Sequence, residues 1–133
     1  MPSEYRLTRR VQFYETDAAG IVHFSCFFRY MEDAEHALWR ENGLSIHSAD
    51  SSIGWPRVAA AFEYHRALKF EQEFDVRIRV AEMTKRTVSY TCNITRDEQR
   101  IATGSLKIAC VTKLPDGSMK STEIPEDIAR RFV

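Results

Sequence analysis

One stretch of this chain has the periodicity of a helix, and the segments around it alternate as strands do. Between Ser25 and Asn42 the apolar residues recur at helical spacing, at Phe27, Phe28, Met31, Ala34, Leu38 and Trp39. Asn42 and Gly43 then end the helix, because glycine readily takes the left-handed conformation that closes a helix. Six apolar positions along one stripe predict a largely buried helix. The rest of the core must come from strands.

Five segments alternate with the period of two that is typical of strands. The first runs from Tyr5 to Tyr14 and has Arg9 as the exception on its apolar face. Four more follow Pro56, at about residues 58–64, 74–80, 88–94 and 101–113. Their short polar connections favour antiparallel neighbours. Strand, helix and four strands in that order predict an α+β fold with a five-stranded antiparallel sheet.

The remaining segments are short. Residues 44–55 are predicted to form a polar connection, and Pro125 to Phe132 to form a short helix with proline in its first turn. One helix covers only the middle of a five-stranded sheet. We therefore expect the exposed face or edge to pair with a second copy of the chain.

Length and charge exclude several classes of protein. The chain has 133 residues, which predicts one domain over residues 1–133. Lys and Arg total 19, as do Asp and Glu, so the net charge of zero argues against a globally basic nucleic-acid binder. No apolar run approaches the roughly 18 to 20 residues of a membrane helix. The N-terminus lacks the apolar core of a signal peptide, and three widely spaced cysteines are read as buried thiols, so a cytoplasmic location is predicted.

Common cofactor and metal motifs do not occur. There is no GxGxxG, no GxxxxGK[ST] and no HExxH, and the four histidines are spread out, so neither a cofactor nor a metal is predicted. His36 and His65 are interpreted as structural or surface residues. One segment remains, in which Asp17 follows the first strand and Gly20 comes three residues later, before the helix. Asp17 either caps a turn, or it attacks an acyl carbon or activates water while N–H groups at the helix start stabilise the oxyanion.

Nine residues around Asp17 follow the signature of a known family in order and spacing: Arg10, Val11, Thr16, Asp17, Gly20, Ile21, Val22, Phe24 and Phe27. At these positions the chain resembles the 4-hydroxybenzoyl-CoA thioesterase family of the hotdog fold. The predicted order of elements extends the resemblance over the whole chain. It implies a hotdog fold, with a five-stranded antiparallel sheet wrapped around one long central helix. It also implies a cofactor-free thioesterase that hydrolyses a small acyl- or aryl-CoA thioester to the free acid and CoA.

The resemblance assigns roles to individual residues. It makes Asp17 the nucleophile or general base, and the backbone N–H near Phe24 the oxyanion donor. Gly54 and Trp55 match the segment that faces the acyl group. Lys85 and Arg86 match the basic turn that contacts the CoA phosphates; as residues alone they also fit a solvated hairpin turn. The family's active sites lie at a dimer interface and tetramers are common, so a second subunit would complete each pocket.

Some assignments stay open. Three residues after Gly20, the pair His23-Phe24 combines a histidine and an aromatic residue, which matches neither subgroup of the family. His23 is therefore either a pocket residue or a packing residue. The aromatic residues either wall an acyl pocket or fill the core, namely Phe24, Phe27, Phe28, Trp55, Phe62 and Tyr64. The competing functions are a hotdog dehydratase and a non-catalytic module that binds acyl-CoA or an acyl carrier protein. An acyl carrier protein could also deliver the substrate.

Overall fold

A five-stranded antiparallel sheet packed on one long helix forms the body of the fold. The structure is a computed structural model that describes residues 2–49 and 51–133. Its elements are β1 (Glu4–Arg10), α1 (Cys26–Glu41), β2 (Ile53–Gly54), β3 (Arg57–Tyr64), β4 (Glu73–Met83), β5 (Thr87–Arg96), β6 (Gln99–Ala109), β7 (Val111–Lys113), β8 (Met119–Ser121) and α2 (Glu126–Ala129). The main sheet has the order β1-β4-β5-β6-β3, and β2-β7-β8 form a small second sheet. The predicted α+β arrangement is confirmed.

The core lies between α1 and the main sheet. The helix buries Phe27, Met31, Ala34, Leu38 and Trp39, as its apolar stripe predicts, whereas Phe28 is half-buried. The sheet buries alternate residues of β4 and β5 against it: Phe74, Val76, Ile78, Val88, Tyr90, Cys92 and Ile94. Within the described residues, no helix combines the length and apolar character that a membrane span needs.

The first strand ends earlier than its alternating pattern predicts. β1 stops at Arg10, and the residues Phe13–Glu15 form a 3-10 turn instead. The Gln12 N–H donates to the Glu15 carboxylate at 2.8 Å, which stabilises the turn. Phe13 and Tyr14 are apolar but exposed, so their place in the alternating pattern does not reflect burial in the sheet. The predicted strand from Tyr5 to Tyr14 is therefore wrong over its last four residues.

The predicted strand over residues 101–113 belongs to two sheets. It breaks after Ala109, where the Cys110 N–H donates to the Arg86 carbonyl at 2.8 Å and the chain leaves the main sheet. β7 then pairs with β2 and β8, which are too short to show any periodicity. The predicted connection over residues 44–55 contains β2, and it includes Asp50, which lies outside the described residues. The predicted C-terminal helix appears as α2 followed by a 3-10 turn.

β3 is an edge strand with one open side. It pairs with β6 along its length, and almost all of its side chains are exposed, including Val58 at 55% and Tyr64 at 45%. Its central residues Ala59, Ala60 and Ala61 are small and uncharged. Edge strands are normally protected by charge, proline or a bulge, because an open edge pairs readily with another chain. β3 has an irregularity at its start, between Arg57 and Ala59, but Ala60, Ala61 and Phe62 carry no such protection, so this part of the edge is suited to pairing.

Gly104 on β6 lies beneath the Phe62 ring of β3. A Cβ atom at position 104 would come within 2.6 Å of that ring, closer than real contacts allow. We predict that Gly104→Ala lowers the free energy of unfolding by about 1–3 kcal/mol, measured by urea denaturation, because Phe62 must shift against Phe27 and Phe28. Adding Phe62→Leu should recover part of the loss. A single variant as stable as the wild type would contradict this packing.

Candidate active site

Asp17 lies in a tight loop between the 3-10 turn and α1. The Asp17 N–H donates to the Ile21 carbonyl at 2.9 Å, and the Gly20 N–H donates to the Asp17 carbonyl at 2.9 Å. Gly20 has φ of +80°, a left-handed conformation that other residues take only with strain. Asp17 Oδ1 accepts the Ala19 N–H at 2.9 Å, and no described residue donates to Oδ2. One carboxylate oxygen is thus anchored by the loop, and the other has no donor among the described residues.

The backbone N–H groups next to Phe24, just before α1, are hydrogen-bonded within the loop. The His23 N–H donates to the Glu15 carbonyl at 2.8 Å, and the Ser25 and Cys26 N–H groups donate to His23 Nδ1 and the His23 carbonyl. Among the described residues, no acceptor takes the Phe24 N–H. A free N–H beside a helix N-terminus attracts negative charge. The Phe24 N–H is therefore available to an acceptor on a ligand.

Asp17 and Phe24 line the same open pocket, of about 410 Å³. Phe27, Tyr64 and Leu68 supply apolar wall, and the Tyr64 hydroxyl donates to the Phe24 carbonyl at 3.0 Å. Partial burial raises the pKa of Tyr64 further above neutral pH, where a tyrosine hydroxyl is already protonated and can donate. A pocket of this volume fits a small acyl or aryl group. Of the six candidate aromatics, Phe24, Phe27 and Tyr64 face this pocket, while Phe27 also belongs to the core.

Two histidines near Asp17 have different surroundings. His23 is not among the residues that line the pocket; its Nδ1 lies 2.8 Å from Ser25 Oγ and its ring stacks on Phe24. Those contacts favour the packing interpretation for His23. His65 does line the pocket, and its Nε2 lies within hydrogen-bond distance of Thr103 Oγ1, at 3.1 Å. The sequence pattern does not indicate this position, because His65 comes close to Asp17 only when the end of β3 packs beside the start of α1.

Gly54 and Trp55 lie at the other end of α1. The Trp55 ring packs on Trp39 with 5.0 Å between centroids. Trp39 is 13 residues after Cys26 in the helix, which is about 20 Å along its axis. Neither Gly54 nor Trp55 lines the Asp17 pocket. One protomer therefore does not bring this predicted acyl-facing segment to Asp17.

A buried ion pair anchors the segment after Trp55. Arg57 donates to the fully buried Glu35 carboxylate at 2.5 and 3.3 Å, and to the Trp55 carbonyl at 3.4 Å. Burial raises the pKa of Glu35, although the Arg57 charge opposes that shift. The sequence gives no signal for this pair, because Glu35 resembles any polar residue of an amphipathic helix. Its contacts fix the start of β3 to α1.

Lys85 and Arg86 form an exposed turn between β4 and β5. Their carbonyls accept the N–H groups of Ile124 and Cys110 at 2.7 and 2.8 Å, and Arg86 Nη1 donates to Ser121 Oγ at 3.1 Å. Lys85 borders a cavity of about 790 Å³ that shares no residue with the Asp17 pocket. The basic turn is thus rigidly held and, within one protomer, has its own cavity.

The three cysteines do not meet the needs of a reactive thiol, and the possible metal ligands do not meet those of a metal site in the described residues. Burial raises the pKa of Cys92 to about 12 and also raises the pKa of Cys26 and Cys110, so these thiols stay protonated. In the described part of the chain, no three His, Cys, Asp or Glu residues cluster as metal ligands would. Among the described residues that line the pocket, Asp17 carries the one carboxylate.

Comparison with known proteins places the chain in a family. The model of the thioesterase-like superfamily matches residues 11–132. The chain belongs to this superfamily. A protein of Aquifex aeolicus, provisionally described as an esterase, is 33% identical over 96% of this chain and 95% of its own. The predicted family and the predicted class of thioester hydrolase are confirmed.

Solved structures agree with that assignment. The crystal structure of a hypothetical protein from Aquifex aeolicus has 29% identity and a TM-score of 0.87, covering 97% of this chain and 99% of that chain. A gentisyl-coenzyme A thioesterase has 25% identity and a TM-score of 0.86, covering 97% of this chain and 100% of that chain. These likenesses confirm the predicted hotdog fold of this chain.

Proposed function

We propose that the protein is an acyl-CoA thioesterase, a single hotdog domain over residues 1–133 that hydrolyses a small acyl- or aryl-CoA thioester to the free acid and CoA. The observation that carries the proposal is the shared pocket of Asp17 and Phe24. A free carboxylate oxygen and an unused N–H are the two groups that acyl transfer needs at the carbonyl carbon and the carbonyl oxygen. The activity of the gentisyl-coenzyme A thioesterase supports a CoA thioester as the substrate.

The mechanism follows from these positions. The thioester carbonyl oxygen accepts the Phe24 N–H, and Asp17 Oδ2 either attacks the carbonyl carbon or removes a proton from an attacking water. Charge then develops on the carbonyl oxygen, where a preorganised N–H donor is worth roughly 2.7–4 kcal/mol in other acyl-transfer enzymes. The tetrahedral intermediate collapses with loss of the CoA thiolate. If water attacked, collapse gives the free acid directly, and the proton that Asp17 took passes to the thiolate. If Asp17 attacked, collapse leaves a mixed anhydride on Asp17, and water then hydrolyses it to the free acid, restores the carboxylate and supplies the proton of the thiol. Gly20 allows the turn that holds Asp17 in place.

Self-association would complete the site. Antiparallel pairing of two β3 edges about a two-fold axis places the start of one strand opposite the end of the other. Tyr64 ends β3 and lines the Asp17 pocket, whereas Gly54 and Trp55 precede the start of β3. Pairing would therefore bring Gly54 and Trp55 of the partner subunit toward Asp17. We propose a dimer that forms through this edge, in which Gly54 and Trp55 of one subunit face the acyl group bound in the Asp17 pocket of the other.

A panel of acyl-CoA thioesters tests the function directly. Acetyl-, isobutyryl-, palmitoyl-, benzoyl- and 4-hydroxybenzoyl-CoA should be compared by release of the free thiol. The proposal expects turnover with small acyl or aryl groups. Binding without thiol release would favour the non-catalytic module, and hydration of an enoyl thioester would favour the dehydratase. An acylated carrier protein in the same assay tests whether an acyl carrier protein can deliver the substrate. CoA thioesters are metabolites of the cell interior, so the proposed substrate also fits the predicted cytoplasmic location.

Lys85 provides a prediction about the CoA end of the substrate. We propose that Lys85 and Arg86 contact the CoA phosphates, so Lys85→Gln should raise KM for acyl-CoA about three- to tenfold with little change in kcat. The same variant should not change the KM for an N-acetylcysteamine thioester, which carries no phosphate. Lys107→Gln, on the exposed side of β6, serves as the control for loss of one surface charge. Equal effects on both substrates would contradict a phosphate contact.

A further inference from the structure

Arg9 is the cation that interrupts the apolar face of β1, and its contacts join three elements. Arg9 forms ion pairs with Glu15 of the 3-10 turn, at 3.0 Å, and with Asp33 of α1. Its guanidinium also lies over the Tyr30 ring, 4.9 Å from the centroid. The side chain is only 26% exposed, so the charge is largely removed from water. Such a cation must keep its partners, because an unpaired buried charge is strongly destabilising.

Glu15 is the buried partner of Arg9, and both its carboxylate oxygens and its backbone carbonyl accept hydrogen bonds. Its side chain is 8% exposed, Oε2 accepts Arg9 Nη2, and Oε1 accepts the Gln12 N–H at 2.8 Å. Its backbone carbonyl accepts the His23 N–H at 2.8 Å. Burial and the neighbouring Glu15 carboxylate raise the pKa of Tyr30, so that the hydroxyl beside this pair stays protonated. Glu15 is therefore fixed relative to both β1 and the start of α1.

The backbone connects Glu15 to both reactive groups. Thr16 and Val22 form a short antiparallel bridge whose hydrogen bonds are His23 N–H to the Glu15 carbonyl and Asp17 N–H to the Ile21 carbonyl. Asp17 lies two residues after Glu15, and Phe24 lies one residue after His23. A shift of Glu15 would thus move the Asp17 carboxylate and the Phe24 N–H relative to each other. Neither Arg9 nor Glu15 lines the pocket.

We propose that Arg9 and Glu15 are positioning residues, whose ion pair sets the distance between the Asp17 carboxylate and the Phe24 N–H. The inference rests on the proposed function, because it assumes that these two groups act on one thioester. It assigns to Arg9, the exception in the alternating strand, the role of holding the loop against β1 and α1. A misplacement of about 1 Å in an active site can cost on the order of 10²-fold in rate.

Kinetics of Glu15 and Arg9 variants test the proposal. Glu15→Leu, which removes both side-chain bonds, should lower kcat by about 10²-fold with KM within about twofold. Glu15→Gln keeps an acceptor for the Gln12 N–H and should retain more activity than Glu15→Leu. Arg10→Met is the matched control, because Arg10 follows Arg9 in the strand but forms an exposed ion pair with Glu73. Its kcat should equal that of the wild type.

The double variant Arg9→Met/Glu15→Gln separates positioning from stability. It removes both charges of the buried pair, so the free energy of unfolding should recover relative to either single variant. Asp33 remains, but its side chain is 47% exposed and is solvated without Arg9. Positioning predicts that kcat stays low although stability returns. A kcat that recovers together with stability would overturn the proposal.

Amide resonances provide a readout that does not depend on activity. In Glu15→Gln and in the double variant, the NMR signals of the Ala19 and Phe24 N–H groups should shift, whereas in Arg10→Met they should stay in place. Unmoved signals would overturn the positioning role even if the wild type proved inactive. A wild type that hydrolyses no thioester in the panel, with the expected shifts observed, would instead overturn the proposed function alone.

Discussion

Asp17→Asn is expected to lower the kcat for thioester hydrolysis by about 10²- to 10⁴-fold, the range that a positioned general acid or base contributes. The substitution keeps an oxygen that can accept the Ala19 N–H, so the loop should retain its turn. What is lost is the charged oxygen that attacks the acyl carbon or takes a proton from water. Turnover is measured by thiol release, and folding by the thermal midpoint of unfolding, which should change little.

The chain offers a matched control for this substitution. Asp116 also lies in a tight turn, where Oδ1 accepts the Ser118 N–H at 2.9 Å, as Asp17 Oδ1 accepts the Ala19 N–H. Asp116 is exposed and does not line the Asp17 pocket. Asp116→Asn should therefore leave kcat unchanged. Wild-type turnover by the Asp17→Asn variant on every accepted substrate would show that the carboxylate does not take part in catalysis.

Ala60→Pro is expected to abolish self-association and most of the activity with it. The His65 N–H donates to the Ile101 carbonyl of β6, and N–H groups alternate along a strand, so the Ala60 N–H points to the open edge of β3. Proline at that position leaves the β6 ladder intact and is tolerated in an edge strand. In a paired strand it leaves an acceptor unsatisfied in both subunits. The dimer should weaken by roughly 2–6 kcal/mol.

Analytical ultracentrifugation over a range of concentrations measures the dissociation constant, and thiol release at the same concentrations measures activity. Arg6→Pro is the control, since Arg6 lies on β1, the opposite edge of the main sheet, and by the same alternation its N–H points away from β4. Arg6→Pro should change neither the dissociation constant nor the activity. It removes only the exposed ion pair of Arg6 with Asp75, which contributes little to stability. A monomeric Ala60→Pro variant with full activity would show that one protomer holds a complete site.

Much of the fold could be predicted because the strong periodicities coincide with real burial. α1 places its predicted stripe against the sheet, and β4 and β5 bury the alternate residues that their pattern indicates. The prediction was wrong where apolar residues are exposed, at Phe13 and Tyr14, and where a continuous pattern crosses two sheets, at Cys110. Periodicity reports which residues share a face, and it does not report when the chain leaves one sheet for another.

The candidate site was predictable only in part. Asp17, Gly20 and Phe24 are close in sequence, so a local motif could identify them, and the loop holds Asp17 and Phe24 at one pocket. Tyr64 and His65 join that pocket from the end of β3, about 40 residues later in the chain. Tyr64 was only one of six aromatic candidates, and His65 was interpreted as a structural or surface residue. Gly54, Trp55, Lys85 and Arg86 lie elsewhere in the protomer, so their assignment depends on a second subunit and on the length of the ligand.

The sequence by itself determined the class of fold, the superfamily and the position of the acidic loop, because these depend on periodicity and on a short ordered motif. Only the tertiary structure decided which oxygen of Asp17 is free, which N–H lacks an acceptor, and what Arg9 does inside the face of a strand. The Arg9–Asp33 ion pair joins residues 24 positions apart, and the two free groups follow from a loop geometry that the residue types alone do not show. The physical reason is that a buried charge is bound to its partners in space, and sequence spacing does not record them.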